Sequence, residues 1–337
     1  MNTKNFKALL PSIMSAALAC ACNGNAVPET IKDETLHRIG VSVSGSITSK
    51  AVSVSSSDED KINTLQLFVI DAGGNVVYYK DCGTSSYGEV YASEGRKEIM
   101  ALVNAPDFSK AKTKSDISGS RTRLTDNDFA SFVMTGCVTV DIDGEISVEI
   151  PVTRIISKVM LKKVTCSFTS DILATAKFVV QSVYLINVAG DARFSDAENS
   201  AVKSKPETWY SRLNADMSSP VKKFTYDAIN TALVRGASYN IPHTLYCYPN
   251  FTEESSFDNS WCPRHTVLVM EATLDGQKIY YPMEMPVIGC NKCLIIDELV
   301  VTKRGSDEPY KPAEESACTV KLHVAPWDVI LQRTETI

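Results

Sequence analysis

The sequence predicts an all-β protein built from β-sandwiches. Short runs in which apolar and polar residues alternate recur along the chain, and a period of two gives a strand one apolar face. Turn pairs at Gly73-Gly74, Asp143-Gly144 and Asp275-Gly276 stand between such runs where hairpin turns belong. Helical periods are few, whereas a doubly wound or barrel enzyme alternates its strands with long amphipathic helices. The 337 residues are enough for about two domains.

Composition narrows the function classes. Hydrophobic residues make up 44% and charged residues 22%, an ordinary globular balance. The net charge is −6, from 34 basic and 40 acidic residues. No cluster of Lys and Arg interleaved with aromatics occurs, so no nucleic-acid partner is expected.

The first residues read as a targeting signal. Lys4 and Lys7 make a basic start, and Ala8 to Ala19 is an apolar run, shorter than the roughly 20 residues a membrane span needs. It ends Ala17-Leu-Ala-Cys20-Ala-Cys22, small residues before a cysteine, as in a bacterial lipobox. Cys20 is preferred as the lipidated residue, with Cys22 as the alternative. A polar tether follows, so the chain beyond it is expected to be exported.

The first strand is Ile39-Gly-Val-Ser-Val-Ser-Gly-Ser-Ile47, with Ile39, Val41, Val43 and Ile47 on one face. A strand with one apolar face gains most by lying in a hydrophobic groove. It runs into a polar stretch at Lys50-Ala51, and a basic residue in a loose polar loop suits a trypsin-like protease. Two readings stand side by side: a removable strand followed by its cut site, or an ordinary first strand with a lysine after it.

Leu65-Gln-Leu-Phe-Val-Ile70 and Val76-Val-Tyr-Tyr79 form a hairpin pattern. Arg96 to Val103 is a further strand, stopped by Asn104-Ala-Pro106. Capping residues before Phe129, Phe132 and Val133 predict a short helix over 125–134. Val138-Thr-Val-Asp-Ile142 and Ile146-Ser-Val-Glu-Ile150 read as a hairpin about Asp143-Gly144. Pro151 to Arg154 looks like a domain junction, and Ile155 opens a second run of strands. The stretch 187–249 reads as mostly irregular, with one helix expected from Pro206. Strands return at His265–Leu274, Lys278–Met285 and Cys293–Thr302. A linker, Gly305 to Ser316, precedes the last strand, Cys318 to Val324, and then Ala-Pro-Trp327.

The cysteines beyond the signal are scattered, unlike a small disulfide scaffold. Cys290-Asn-Lys-Cys293 is a lone pair leading into a strand, and His37, His243, His265 and His323 lack ligand spacing, so no zinc site is expected. Buried thiols, with Cys247–Cys262 as one conceivable pair, account for them. No nucleophile elbow, His-Glu-x-x-His or phosphate loop occurs, so neither an enzyme nor a cofactor is expected. Asp141, Asp143, Glu253 and Glu254 read as solvated surface.

In their order, several pieces resemble the fimbrillins, the pilin subunits of type V pili in Gram-negative anaerobes. They are the lipobox at Cys20, the strand Ile39–Ile47, the basic-Ala pair Lys50-Ala51, and an acidic loop leading into Leu65-Gln-Leu-Phe-Val. Arg96-Lys-Glu-Ile-Met-Ala-Leu-Val-Asn-Ala, Arg154-Ile-Ile-Ser-Lys-Val, Tyr281-Pro, Asn291-Lys-Cys-Leu-Ile and Val324-Ala-Pro-Trp327 continue the series. The resemblance implies two stacked transthyretin-like β-sandwich domains with short helices in loops. Residues 1–22 would be the lipoprotein signal peptide and 23–50 the tether and removable strand. Residues 51–152 would form the N-terminal domain and 153–337 the C-terminal domain. It further implies a lipid-anchored precursor in the outer membrane, cut by a trypsin-like protease at Lys50-Ala51 and polymerised into an extracellular fimbria. The last strand, with Cys318, Val320, Leu322, Val324 and Trp327, would be the donor. Partners would be other copies, other pilus subunits, and host or bacterial surface receptors. The best-known members are cut after arginine, where this chain has Lys50; Arg38 is the nearest arginine, and cutting there would leave the strand in place. The alternative function is a lipid-anchored adhesin or glycan-binding protein using Trp209, Tyr210 and Trp261, aromatics that would otherwise simply pack a long loop.

Overall fold

The computed structural model describes residues 35–45, 58–197, 203–252, 261–311 and 318–327. The lipidation residues Cys20 and Cys22 lie outside them, as do Ile47, Lys50 and Ala51.

The fold is all-β. Its first part contains β1 (Leu36–Gly45), β2 (Leu65–Ile70), β3 (Val76–Asp81), β4 (Tyr87–Ser93) and β5 (Gly95–Val103). It continues with the short β6 (Arg121–Arg123), then β7 (Met134–Ile142) and β8 (Ile146–Arg154). A hydrogen-bonded path runs β3-β2-β5-β7-β8-β1-β4. It folds over between β7 and β8, which pair only at Met134–Arg154 and Thr135–Thr153. The expected hairpin about Asp143-Gly144 is therefore a crossing between two sheets, because β7 stays with β5 while β8 pairs with β1. Gly136 permits the crossing: a Cβ there would collide with the Pro151 carbonyl. The two sheets enclose a core of Ile39, Val41 and Val43 with Leu65, Leu67, Val69, Ile99, Ala101, Val90 and Ile150.

The second part begins with β9 (Ser157–Leu161), β10 (Val164–Cys166) and β11 (Phe178–Ile186). Short pieces follow, β12 (Val188–Ala189), β13 (Asp191–Arg193) and β14 (Trp209–Tyr210), and then β15 (Tyr226–Leu233), β16 (Ser238–Tyr239) and β17 (His243–Cys247). The last are β18 (Val267–Leu274), β19 (Gln277–Glu284), β20 (Lys292–Val301) and β21 (Cys318–Pro326). One sheet has the order β15-β11-β18-β19. In the other, β20 carries β9 and β10 in succession along one edge and β21 along the other. The outer face of β2 and β5, with Phe68, Ile70, Met100 and Leu102, joins the core of this second part, so β2 is buried on both faces.

Some local expectations change. In place of a helix over 125–134 there is a single 3-10 turn, Leu124–Asp126. The Asn127 side chain closes the loop instead, accepting from the Val133 N–H at 2.9 Å and donating to the Tyr248 hydroxyl at 2.9 Å. The helix expected from Pro206 is absent too. The Asp191 carboxylate accepts the Glu207 N–H at 3.1 Å, Trp209–Tyr210 pairs with Val188–Ala189, and Ser211 and Leu213 take positive φ. The stretch 187–249 is more regular than expected, since it holds β15 and β17. The short helices, α1 (Lys114–Ser118), α2 (Asp171–Ala174) and α3 (Lys222–Thr225), lie between strands. Cys247 and Cys262 are both free thiols, so the conceivable disulfide does not form. Burial pushes the Cys247 thiol up to about 12.

Candidate functional site

The site begins with β1. It is parallel to β8 on one edge and antiparallel to β4 on the other, so it fills an interior slot. Ile39 and Val41 are fully buried and Val43 is 7% exposed. Burying such side chains contributes about 1.5–3 kcal/mol each. Among the described residues, β4 pairs with no strand but β1, so the slot closes only while β1 is in place. On the outer face, Arg38 reaches Glu89 of β4 at 3.0 Å and Glu145 at 3.2 Å, just before β8. Gly40 lies under Tyr87: a Cβ there would sit 3.0 Å from the Tyr87 hydroxyl.

The C-terminal strand is seated differently. β21 pairs with β20 and with no other strand among the described residues. Val320, Leu322 and Val324 stand opposite the core residues Leu299, Ile296 and Leu294, yet Leu322 is 45% and Val324 47% exposed. The facing sheet does not cover this edge. Lys321 stands opposite Glu298, and His323 Nδ1 lies 3.0 Å from Asp297 Oδ2. Cys318, also in the inward row, is half-buried.

Trp327 follows β21 directly, sits in a cage of charged and aromatic side chains and is 3% exposed. Its indole Nε1 donates to Glu59 Oε2 at 2.9 Å. The Tyr246 hydroxyl donates to Glu59 Oε1 at 2.6 Å, and Lys158 Nζ lies 2.7 Å from Oε2. Arg154 and Lys158 lie 4.8 and 4.5 Å from the centre of the indole ring, within cation–π range. Arg154 also donates to Asn291 Oδ1 at 2.7 Å and pairs with Asp60. Burial alone would raise the Glu59 carboxyl, but the Lys158 charge and the bonds from Lys158, Tyr246 and Trp327 hold it below its ordinary value. The cage abuts the end of β1, where a Cβ on Gly45 would lie 3.6 Å from Asp60 Oδ1.

Five sequence pieces that lie far apart in the chain thus meet at one point: the acidic loop, Arg154 to Lys158, Tyr246, Asn291 and Trp327. The acidic loop entered the sequence reading only as one piece of the resemblance, and Tyr246 carried no signal at all. Lys158, a lysine inside an apolar strand, was the one sequence cue that a buried carboxylate must stand nearby.

Residues 39–144 match the model of a family described as Major fimbrial subunit protein (FimA). The chain resembles the fimbrillins. A fimbrilin (FimA) from Porphyromonas gingivalis superposes with a TM-score of 0.59 at 15% identity, over 86% of this chain and 97% of that one. A protein of Bacteroides eggerthii, named as a candidate for cell adhesion, gives 0.63 at 15% identity, over 90% and 98%. The tip fimbrial protein Mfa3 from P. gingivalis, with a C-terminal truncation, gives 0.51 at 13% identity, over 87% and 100%. These likenesses show the shared all-β fimbrillin fold. A comparison with curated proteins finds no match. Against this fold the aromatics weighed for glycan binding pack on one another: Trp209 meets Trp261 edge-on at 5.5 Å, and the Arg212 guanidinium covers Trp261 at 4.9 Å.

Proposed function

We propose that this chain is a structural subunit of a cell-surface fimbria, assembled by strand exchange, with β1 the removable strand and β21 the donor. It has no catalytic role in this reading. The precursor is exported as a lipoprotein through Cys20, or Cys22, and cleavage at Lys50-Ala51 releases β1. Residues 51–152 and 153–337 act as its two sandwich domains.

The observation that carries the reading is a mismatch of burial. β1 holds its apolar row almost wholly buried in an interior slot, whereas β21, with the same alternation, leaves much of its row in water at a sheet edge. Moving β21 of a second copy into a vacated slot buries apolar surface and completes two ladders at once, the physics of strand addition. Arg38 supports a cut at Lys50. It lies within β1, paired with Tyr91 of β4 and held outside by ion pairs to Glu89 and Glu145, where a protease cannot seat an extended chain.

The test is limited proteolysis followed by gel electrophoresis. Protein nicked after Lys50 should form ladders, and a Lys50→Ala precursor should stay monomeric under the same protease. Ladders from the uncut variant would refute the removable strand.

A further inference from the structure

We infer that the donor strand of a second copy enters the slot with the polarity of β1, Val320, Leu322 and Val324 replacing Ile39, Val41 and Val43, and Trp327 reaching the Glu59 cage of the acceptor. This rests on the strand-exchange reading and adds its direction and register.

The apolar row alone allows either direction and several registers, because slipping a strand by two residues restores the same face. Charge narrows the choice. When β1 leaves, Arg38 goes with it, and Glu89 and Glu145 lose their cation. The rung at Gly40 faces Glu89 on β4, and the rung at Ser42 faces Glu149 on β8. In the stated register Lys321 takes the Gly40 rung and His323 the Ser42 rung, so each basic residue meets a carboxylate. The same two side chains already face carboxylates in their own seat, Glu298 and Asp297. The acceptor therefore offers β21 the charge pattern that it leaves behind. The Tyr87 ring over Gly40 is exposed and swings aside to admit Lys321.

The reversed strand would satisfy the same carboxylates with Lys321 and His323 exchanged. The end of the strand decides between them. With the polarity of β1, Pro326 falls at Gly45, the last residue of the β1 ladder, where a missing N–H does least harm. Trp327 then lies one residue further, beside Asp60 and Arg154, at the mouth of the cage that the acceptor's own Trp327 has vacated. Reversed, Trp327 would leave at the opposite end, near Leu36, far from any such cage. The anchor is the same in both seats; only the copy that supplies it changes.

Cysteine pairing between copies tests this. A donor carrying Lys321→Cys is mixed with nicked acceptors carrying Tyr87→Cys, Glu89→Cys or Tyr91→Cys, exposed or half-buried positions along β4, and oxidised mildly. Directly opposed residues on antiparallel strands come within disulfide reach, and neighbouring rungs do not. A donor without the new cysteine controls for native thiols. The expected result is a covalent dimer with Glu89→Cys at least tenfold above the other two. Dominant pairing with Tyr87→Cys would mean the reversed strand or a slip of two residues toward Gly45, and with Tyr91→Cys a slip of two residues the other way; either overturns the inference. So does normal assembly without any pairing. If nicked wild-type protein does not assemble at all, strand exchange itself fails and the register falls with it.

Discussion

Glu59 takes hydrogen bonds from a lysine, a phenol and an indole, and each of those groups is buried or nearly so. Replacing it by Gln leaves Lys158 without its counter-charge, and removing one partner of a buried pair costs about 3 kcal/mol. Urea denaturation should show that loss at neutral pH. The sign of the pH dependence follows from the lowered carboxyl. Its contribution is complete above the ordinary value of 4.5 and disappears as pH falls through the lower folded value. Wild type and Glu59→Gln should therefore converge in stability in strong acid, and a gap that persisted there would mean that the carboxylate charge is not what stabilises the cage. Leu322 gives the opposite case. It is half exposed on β21, so Leu322→Asp should cost the monomer about 0.5 kcal/mol or less. In the slot the same aspartate would be buried unpaired at a cost of several kcal/mol. Folded monomer by circular dichroism with no ladders on a gel is the expected pair of results. The sequence could show that Leu322 alternates with polar neighbours. It could not show that Leu322 stays exposed at a sheet edge, which tertiary folding decides.

Among the elements, β1 and β21 look alike in sequence, and the structure separates them by neighbours. One has a strand on each edge and the other a strand on one edge. The period-two runs located β2, β3, β5, β18, β19 and β20 because each has a continuous apolar row or a flanking turn. β15 was missed because Tyr226-Asp-Ala-Ile-Asn-Thr-Ala-Leu233, at a sheet edge, mixes polar and apolar residues in both of its rows, so no apolar face stands out. Where a helix was expected at 125–134, the Asn127 side chain takes the Val133 N–H, which a helix would have given to the Phe129 carbonyl, and ties the loop to Tyr248. The β7–β8 connection was read as a hairpin because turn chemistry reports the turn and not the sheet that each strand joins. Gly136→Ala tests that crossing. Its methyl would meet the Pro151 carbonyl, and overpacking of this kind costs about 1–3 kcal/mol. A midpoint unchanged in urea would mean that the two backbones can separate freely.

For the whole molecule, the sandwich class was legible from the chain, whereas the meeting of five distant segments around Trp327 was not, because only tertiary folding brings them together. Delivery belongs to this scale as well. Changing Cys20 and Cys22 together to Ser should abolish lipid labelling and surface exposure, and labelling that survived would remove the lipoprotein precursor from the proposal. The single Cys20→Ser change then tells which thiol is used.

The slot of β1 also has a mechanical meaning. A strand held along both edges, with a fibre continuing from it, is pulled along its own axis. Its backbone hydrogen bonds then lie across the load and share the tension together, like a lap joint, instead of opening one after another like a peeled tape. β21 in its own seat is paired along one edge only among the described residues. A pulling experiment on a joined pair of copies should therefore show one abrupt rupture at the junction, at a higher force than that needed to strip β21 from β20 in a single copy.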